Sequence, residues 1–418
     1  MLLQNENEKR ITDKFVVGYE LSDKATQISY YQLGKQNPET VSVVARGEQY
    51  EIPTVLCKRE EVNQWFYGKE ALKQEEDGIL ITDLLQKAKD GNLITVEDQE
   101  YDPVELLYLF IKRSLGLLSM IVQREQEDAI MITVSDLDER TINVLKIVAE
   151  KLRSTVPNVY FQSHTESFYY YMIHQPAELW NYQVLVCDYS GDELITYRME
   201  MNRKTSPIVT FIDTVSHKES ESEKDNWFLG ILEQLVKDRI VGAVYLVGRG
   251  FEGDWSKKSL RFLCSGRRVF QGNNLYSKGA CYGASEKLQE SEAGRNHVFL
   301  GLDKLKSNIG MRALKKDKEV YVPILDAGTN WFETENELEV YLNEGNELKF
   351  VVTPLNGQES YEISLSIFGI AKRPNRTTRL LISACLLQEN KLMIAVKDLG
   401  FGELFPASKM VWTQEYTI

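Results

Sequence analysis

The stretch QVLVCDYSGDELITYRM, residues 183–199, decides the fold. Val184 to Cys187 is continuously apolar, Asp188 to Glu193 is a polar turn, and Leu194 to Met199 resumes a β-rich run. That is the pattern of two strands joined by a tight loop, and Ile208 to Ile212 adds a third strand. The same order occurs earlier: FVVGYEL at residues 15–21, a turn containing Ser22, Asp23 and Lys24, then Thr26 to Leu33 and Val41 to Ala45. A helix, a strand and further helical sequence follow each meander. Asp102 and Pro103 form an N-cap and first-turn proline, Ala129 to Val134 is a strand, and Asp138 to Leu152 a helix. In that helix Ile142, Leu145, Val148, Ala149 and Leu152 share one face. Asn158 to Ser163 is a further strand and Glu166 to Ile173 a further helix. In the second series Phe228, Ile231, Leu232, Leu235 and Val236 form an apolar helix face, and Ala243 to Val247 leads to Gly248 and Gly250. A series used twice predicts a duplicated α/β fold, with its ligand cleft between the halves.

The remaining sequence bounds what such a fold could serve. The chain has 418 residues, 49 Lys plus Arg against 62 Asp plus Glu, and a net charge of −13. An acidic chain without a long basic run argues against nucleic acid as the main ligand. With 43% hydrophobic residues it is too apolar to be disordered. No stretch approaches the roughly 18 apolar residues of a membrane span. Met1 to Lys14 is polar and lacks the apolar core of a signal peptide, so a cytoplasmic location is expected. The five cysteines have no paired spacing and read as buried thiols, and His164, His174, His217 and His297 are not spaced as metal ligands. The aromatic run Phe168 to Tyr171 reads as packing between lobes. Lys257, Lys258, Arg261, Arg267 and Arg268 form a basic set, read as a solvated face or as a docking surface for an acidic partner. Beyond about residue 296 six short runs, Val320 to Ile324, Leu338 to Leu342, Leu348 to Val352, Tyr361 to Ile367, Leu380 to Leu386 and Leu392 to Val396, predict a β-sandwich. The expected domains are a tail at 1–14, a first lobe at 15–180, a truncated second lobe at 181–290 and the sandwich at 291–418, with Gln289 to Asn296 as linker.

GYELSDK at Gly18 to Lys24, DYSGDE at Asp188 to Glu193, LVGRG at Leu246 to Gly250 and NLYSKGACYGA at Asn274 to Ala284 form an ordered set. Together they resemble the DnaK-type heat-shock chaperones of the actin and hexokinase-like ATPase superfamily. ITVSDLDERTINVLKIVAEKL (132–152) resembles that family's first connecting segment, and SHTESFYYYMI (163–173) its following Asn-Glu-Pro helix, with Glu166 at the family's Glu. IPTVLC and WFYGKEALK, within Ile52 to Lys73, resemble the small subdomain of its first lobe. Glu359 to Gly402 resembles its peptide-binding β-sandwich. The resemblance implies a two-lobed actin-like (duplicated ribonuclease H-like) ATPase domain followed by a DnaK-like β-sandwich, with ATP and Mg²⁺ as the candidate ligands. It places the degenerate nucleotide site at Gly18, Glu20, Ser22, Asp23, Lys73, Asp188, Ser190, Gly191, Gly248 and Gly250.

These loops depart from the family's pattern in a way that physical chemistry can read. The first loop should read G-x-D-x-G-T-T, so that backbone N–H groups approach phosphate, but Glu20, Ser22, Asp23 and Lys24 stand there. The second should read D-x-G-G-G-T; Asp188 and Gly191 remain, whereas Ser190, Asp192 and Glu193 replace the rest. Carboxylates about 5 Å from a phosphate at an effective dielectric near 20 oppose it by roughly 3 kcal/mol each. After Gly68 the catalytic Lys position holds Leu72, and Lys73 comes one residue late, a rotation of about 100° on a helix. Asp188 and Gly248 are only 60 positions apart, leaving no room for the family's second inserted subdomain, and Arg249 separates the two glycines. The expectation is a chaperone-like pseudo-ATPase with no catalytic residues and no metal site. It would act as a protein-interaction or scaffold module that takes a protein or extended peptide. The alternatives are an active ATP-dependent chaperone and an actin-like filament or cytoskeletal adaptor. The sequence stops at Ile418 before any helical lid, so substrate trapping should be open and quick to release.

Overall fold

Val16, Val17 and Tyr19 are buried in β1 (Phe15–Leu21), the central strand of the first lobe. Around it lie β2 (Ala25–Gln32), β3 (Glu39–Thr40), β4 (Glu127–Val134) and β5 (Asn158–Ser163), in the spatial order β5-β4-β1-β2-β3. β1 runs parallel to β4 and antiparallel to β2, while β4 and β5 are parallel. This is a computed structural model, and it describes residues 14–418 apart from 36, 45–46, 60–63, 122–126, 191–192, 220–222, 273 and 371. The tail expected at 1–14 therefore lies almost wholly outside the described residues.

The second lobe repeats the arrangement. Five of the six strands of its sheet are β6 (Gln183–Asp188), β7 (Leu194–Asn202), β8 (Ile208–His217), β9 (Val241–Val247) and β10 (Arg268–Gln271), in the order β10-β9-β6-β7-β8. β6 is antiparallel to β7 and parallel to β9, and β9 is parallel to β10. Both lobes therefore have a meander on one side and two parallel strands on the other, so the duplication read from sequence is present in topology and polarity. One boundary differs: the third strand of the first lobe is the two-residue β3, not Val41 to Ala45. The chain leaves the sheet after Val41, whose N–H still bonds Ile28 O. Ala45 lies outside the described residues.

Helices fill the crossovers. In the first lobe α1 (Pro103–Leu115) follows the meander, α2 (Glu139–Leu152) joins β4 to β5, and α3 (His164–Ile173) follows β5. Asp102 and Asp138 cap α1 and α2 by accepting the N–H groups of Val104 and Thr141, as polar N-caps do. The second lobe has the matching α4 (Lys224–Val236), α5 (Lys257–Leu263) and α6 (Leu275–Leu288). The lobes exchange their last helices. Phe168 and Met172 of α3 pack into the core of the second sheet with Val184, Val186 and Ala243. Ala280, Cys281 and Ala284 of α6 pack on Val16, Ala129 and Met131 of the first.

Small residues make the α6 contact possible. A Cβ on Gly18 would lie 1.9 Å from Ser277 O, and one on Gly279 would lie 2.0 Å from Ser167 O in α3. Two stacked pairs pin the crossing: His164 on Tyr276 at 4.1 Å and His174 on Tyr282 at 4.3 Å between ring centroids. His174 Nε2 also meets Glu286 at 2.9 Å.

Only the first lobe carries a large insertion. Between β3 and α1 lie a three-stranded sheet (Gln64–Tyr67, Leu56–Arg59 and Gly78–Ile81), the helices Gly68–Lys73 and Leu84–Asp90, and a hairpin. In the second lobe β8 ends at His217 and α4 begins at Lys224.

The chain divides between His297 and Val298. Gln289 to Asn296, expected as a linker, falls inside the first unit and contains the helix Glu292–Asn296. The second unit has eight main strands rather than six. Strands Lys318–Leu325, Ser307–Lys315, Glu347–Pro354 and Tyr361–Ser366 form one antiparallel sheet. Glu335–Leu342, Thr378–Gln388, Lys391–Asp398 and Val411–Thr417 form another. Leu348, Phe350 and Val352 of the first sheet and Leu380, Ile382, Ile394 and Val396 of the second are buried. The two extra strands escaped the pattern for physical reasons. Ser307–Lys315 carries Gly310, where a Cβ would sit 2.4 Å from Tyr321 Cζ, and Val411–Thr417 is a largely exposed edge. Among the described residues no helix is long and apolar enough to cross a membrane.

Candidate functional site

The C-terminal ends of β1 and β6 bring Glu20 and Asp188 into electrostatic contact, and the two expected loops that follow are bonded within the chain. In the first turn Ser22 Oγ donates to Ala25 O at 2.7 Å and accepts Ala25 N–H at 3.1 Å. Asp23 turns toward the insertion, where its Oδ1 accepts the N–H groups of Leu85 and Gln86 at 2.8 and 3.1 Å. It thereby supplies the cap that Asp83, with φ +54°, does not give to Leu84–Asp90. Burial raises the Asp23 carboxyl above its ordinary range against those bonds.

In the second turn Asp188 has both oxygens occupied. Oδ1 accepts the N–H and hydroxyl of Ser190, and Oδ2 accepts the Tyr276 phenol at 2.7 Å. Burial lifts its carboxyl above the usual range, and those donors oppose the shift. Glu20, at the matching end of β1, has a buried Oε2 with no hydrogen-bond partner among the described residues. Burial, then the charges of Asp188 and Glu51, push its carboxyl well above the ordinary range. His164, stacked on Tyr276, is held down to about 3 by burial and is neutral at physiological pH.

The glycine loop after β9 closes on the turn after β6. Gly250 N–H donates to Tyr189 O at 2.8 Å, and Tyr189 N–H donates to Val247 O at 2.8 Å. Gly248 has φ +100°, and a Cβ there would lie 2.4 Å from Ser190 N. A Cβ on Gly250 would lie 2.3 Å from the Tyr189 ring. The Tyr189 ring is buried among Trp227, Phe251 and Trp255. Lys224 Nζ lies 4.4 Å from the centroids of both Tyr189 and Trp255, a cation–π arrangement. Arg249 forms an ion pair with Glu51 of the first lobe.

The structure thus brings Glu20, Asp188, Ser190, Gly248 and Gly250 to the cleft. Gly18 serves the contact with α6, and Asp23 serves the insertion. Lys73 is exposed at the end of Gly68–Lys73 and makes no hydrogen bond or ion pair among the described residues. Gly191 and Asp192 lie outside the described residues. Glu193 accepts the Ser216 hydroxyl on the β7–β8 hairpin. Tyr276, His164, Glu51 and Lys224 belong to the site and were not expected. Tyr276 sits inside the quoted NLYSKGACYGA.

The second unit holds a separate cleft of about 1000 Å³. Its walls include Met311, Val320 and Val322 from one sheet and Leu338, Val340 and Leu342 from the other. Arg376 meets Asp317 Oδ1 and Asn343 Oδ1, each at 2.9 Å, at its rim.

Residues 37–302 match a family described as "Family of unknown function (DUF5716) C-terminal", and residues 304–418 match a "Domain of unknown function (DUF8552)". No curated protein matches the chain. Among solved structures, a non-polymerising mutant of MamK bound to AMPPNP aligns at 11% identity with a TM-score of 0.39, over 66% of this chain and 100% of that one.

Proposed function

The chain belongs, over residues 37–302, to the family of unknown function DUF5716, and we propose that it is a pseudo-ATPase of the actin-like fold that works as a protein-interaction scaffold. The repeated order, with a meander beside two parallel strands and exchanged last helices, supports that fold. In this reading the second unit is a chaperone-like sandwich that takes an extended peptide, and its cleft, with apolar and charged walls, is the place for it.

The observation that carries the loss of hydrolysis is the closure of the glycine loop on the second turn. ATP and Mg²⁺ would need free backbone N–H groups and carboxylates open to metal-bound water. Ser190 N–H is spent on Asp188, the Cβ direction of Gly248 is filled by Ser190 N, and Tyr276 holds the other Asp188 oxygen. In this reading the described residues do not fit the nucleotide, so no catalytic step is derived through it. Arg249 and Glu51 link the lobes directly. Buried free thiols at Cys57, Cys187 and Cys281 suit a reducing cytoplasm.

Calorimetric titration with Mg·ATP, alongside phosphate release, tests the proposal. No saturable heat and no release above background are expected. Stoichiometric binding with turnover abolished by Asp188→Asn would replace the scaffold with an ATP-driven chaperone.

A further inference from the structure

Between Asp254 and Glu286 the sequence contains no acidic residue and six cations: Lys257, Lys258, Arg261, Arg267, Arg268 and Lys278. In a chain of net charge −13 this is a sharp segregation. Five of the six lie on α5 and in the segment that enters β10. Lys257 and Arg261 are spaced i, i+4 and Cys264 follows three residues later, so one exposed face of α5 leads to the start of β10.

That start borders a hollow of about 390 Å³, lined in part by Tyr182, Ile240, Cys264, Arg267 and Arg268, with Glu178 as its single acidic wall residue. It lies at the N-terminal ends of β6, β9 and β10, whereas the interlobe cleft lies at the C-terminal ends of β6 and β9. Tyr182 and Ile240 are 58% and 68% exposed, which is high for apolar side chains bordering one depression. Arg267 is held in place: its guanidinium lies 5.2 Å from the Phe262 ring centroid and donates to Phe262 O at 3.3 Å. Arg268 meets Glu178 only at 3.6 Å, both exposed, and Arg261 forms no ion pair among the described residues. β10 ends its sheet, so its outer backbone groups have no strand partner among the described residues.

We propose that this end of the second lobe docks an acidic, extended polypeptide segment carrying an apolar anchor. The anchor enters the hollow beside Tyr182 and Ile240. Carboxylates meet Arg261, Arg267 and Arg268, whose planar forks suit them. The segment's backbone adds to the free edge of β10. Charge complementarity identifies the occupant as acidic, and a concave site at a sheet edge favours an extended chain over a flat lipid surface. The site is independent of whether the interlobe cleft binds nucleotide.

The test uses the whole chain and a fluorescent short peptide of alternating Glu and Leu, followed by anisotropy. Binding should weaken as salt rises and fall roughly tenfold in Arg267→Glu/Arg268→Glu. The peptide should also slow alkylation of Cys264, the one exposed cysteine. Ile240→Asp, which leaves the cations in place, should weaken binding as well. No binding, equal binding by the charge-reversed variant, or equal binding of a Lys and Leu peptide overturns the proposal. So does attachment to phosphatidylserine-containing vesicles that the charge reversal abolishes while peptide binding persists. Self-association in sedimentation velocity that the reversal removes, without peptide binding, would assign the surface to a second copy instead.

Discussion

The turns after the first strand of each lobe occupy matching places, yet Asp23 within the first turn and Asp188 at the strand end that opens the second form different bonds. Asp23 reaches out to cap Leu84–Asp90, a helix of the insertion that only the first lobe has. The second lobe passes from His217 to Lys224 without an insertion, and Asp188 turns inward to Ser190 and Tyr276. The strands differ in the same way. Two residues before Glu20 stands Gly18, against α6; two before Asp188 stands Val186, packed with α3. One duplicated topology has thus become a first lobe that clasps a helix at backbone distance and a second that packs side chains. At the polar ends of the central strands Asp188 has both oxygens bonded within the chain, while Glu20 keeps a buried Oε2 without a partner among the described residues.

Replacing Gly18 with Val, which makes β1 resemble β6, should have the largest effect. Its Cβ would meet a backbone oxygen at 1.9 Å, and backbone cannot swing aside. A loss of about 3 kcal/mol or more is expected in denaturant unfolding, whereas Gly230→Ala on α4, where a Cβ meets nothing within 4 Å, should be neutral or stabilising. Equal tolerance at both positions would remove the asymmetry.

Glu20→Gln should come next, and with the opposite sign. The folded chain holds this carboxyl well above its ordinary range, so folding favours the protonated form. Wild type therefore loses this contribution as pH rises above the unfolded value of about 4.3. The Gln variant should be the more stable at pH 7 and lose its advantage at pH 4, measured as unfolding midpoints across pH. A constant difference would mean that Glu20 is not charged against Asp188 and Glu51.

Asp23→Ala should cost about 1 kcal/mol, as for a lost N-cap. Hydrogen exchange should rise in Leu84–Asp90 and stay unchanged around β6. Arg249→Ala should be the smallest, below about 1 kcal/mol, because the arginine is 62% exposed. A double-mutant cycle with Glu51→Ala should still give non-zero coupling between the lobes.

The duplicated topology was legible because buried strands of parallel pairs leave apolar runs such as Val184 to Cys187 that survive without any ligand. The loops were half legible. Glu20, Asp23, Glu193 and Arg249 read as poor company for a phosphate, and that reading held no sign of what each would bond instead. Asp23's partners lie more than sixty residues away, and Arg249 meets Glu51 across the cleft, so no local pattern could reveal either. Gly18, Gly248 and Gly250 read as room for a ligand, while each is needed for close approach of the chain to itself. Tyr276 gave no signal because a buried tyrosine in a helix of small residues looks like core until its phenol is traced to Asp188.

Thermal unfolding of the purified chain with and without millimolar Mg·ATP tests most directly whether the cleft is closed by its own residues. The account predicts the same melting temperature in both. A nucleotide at a hundred times its Kd would add about 2.7 kcal/mol and raise the transition by a few degrees, and a rise of that size would contradict it.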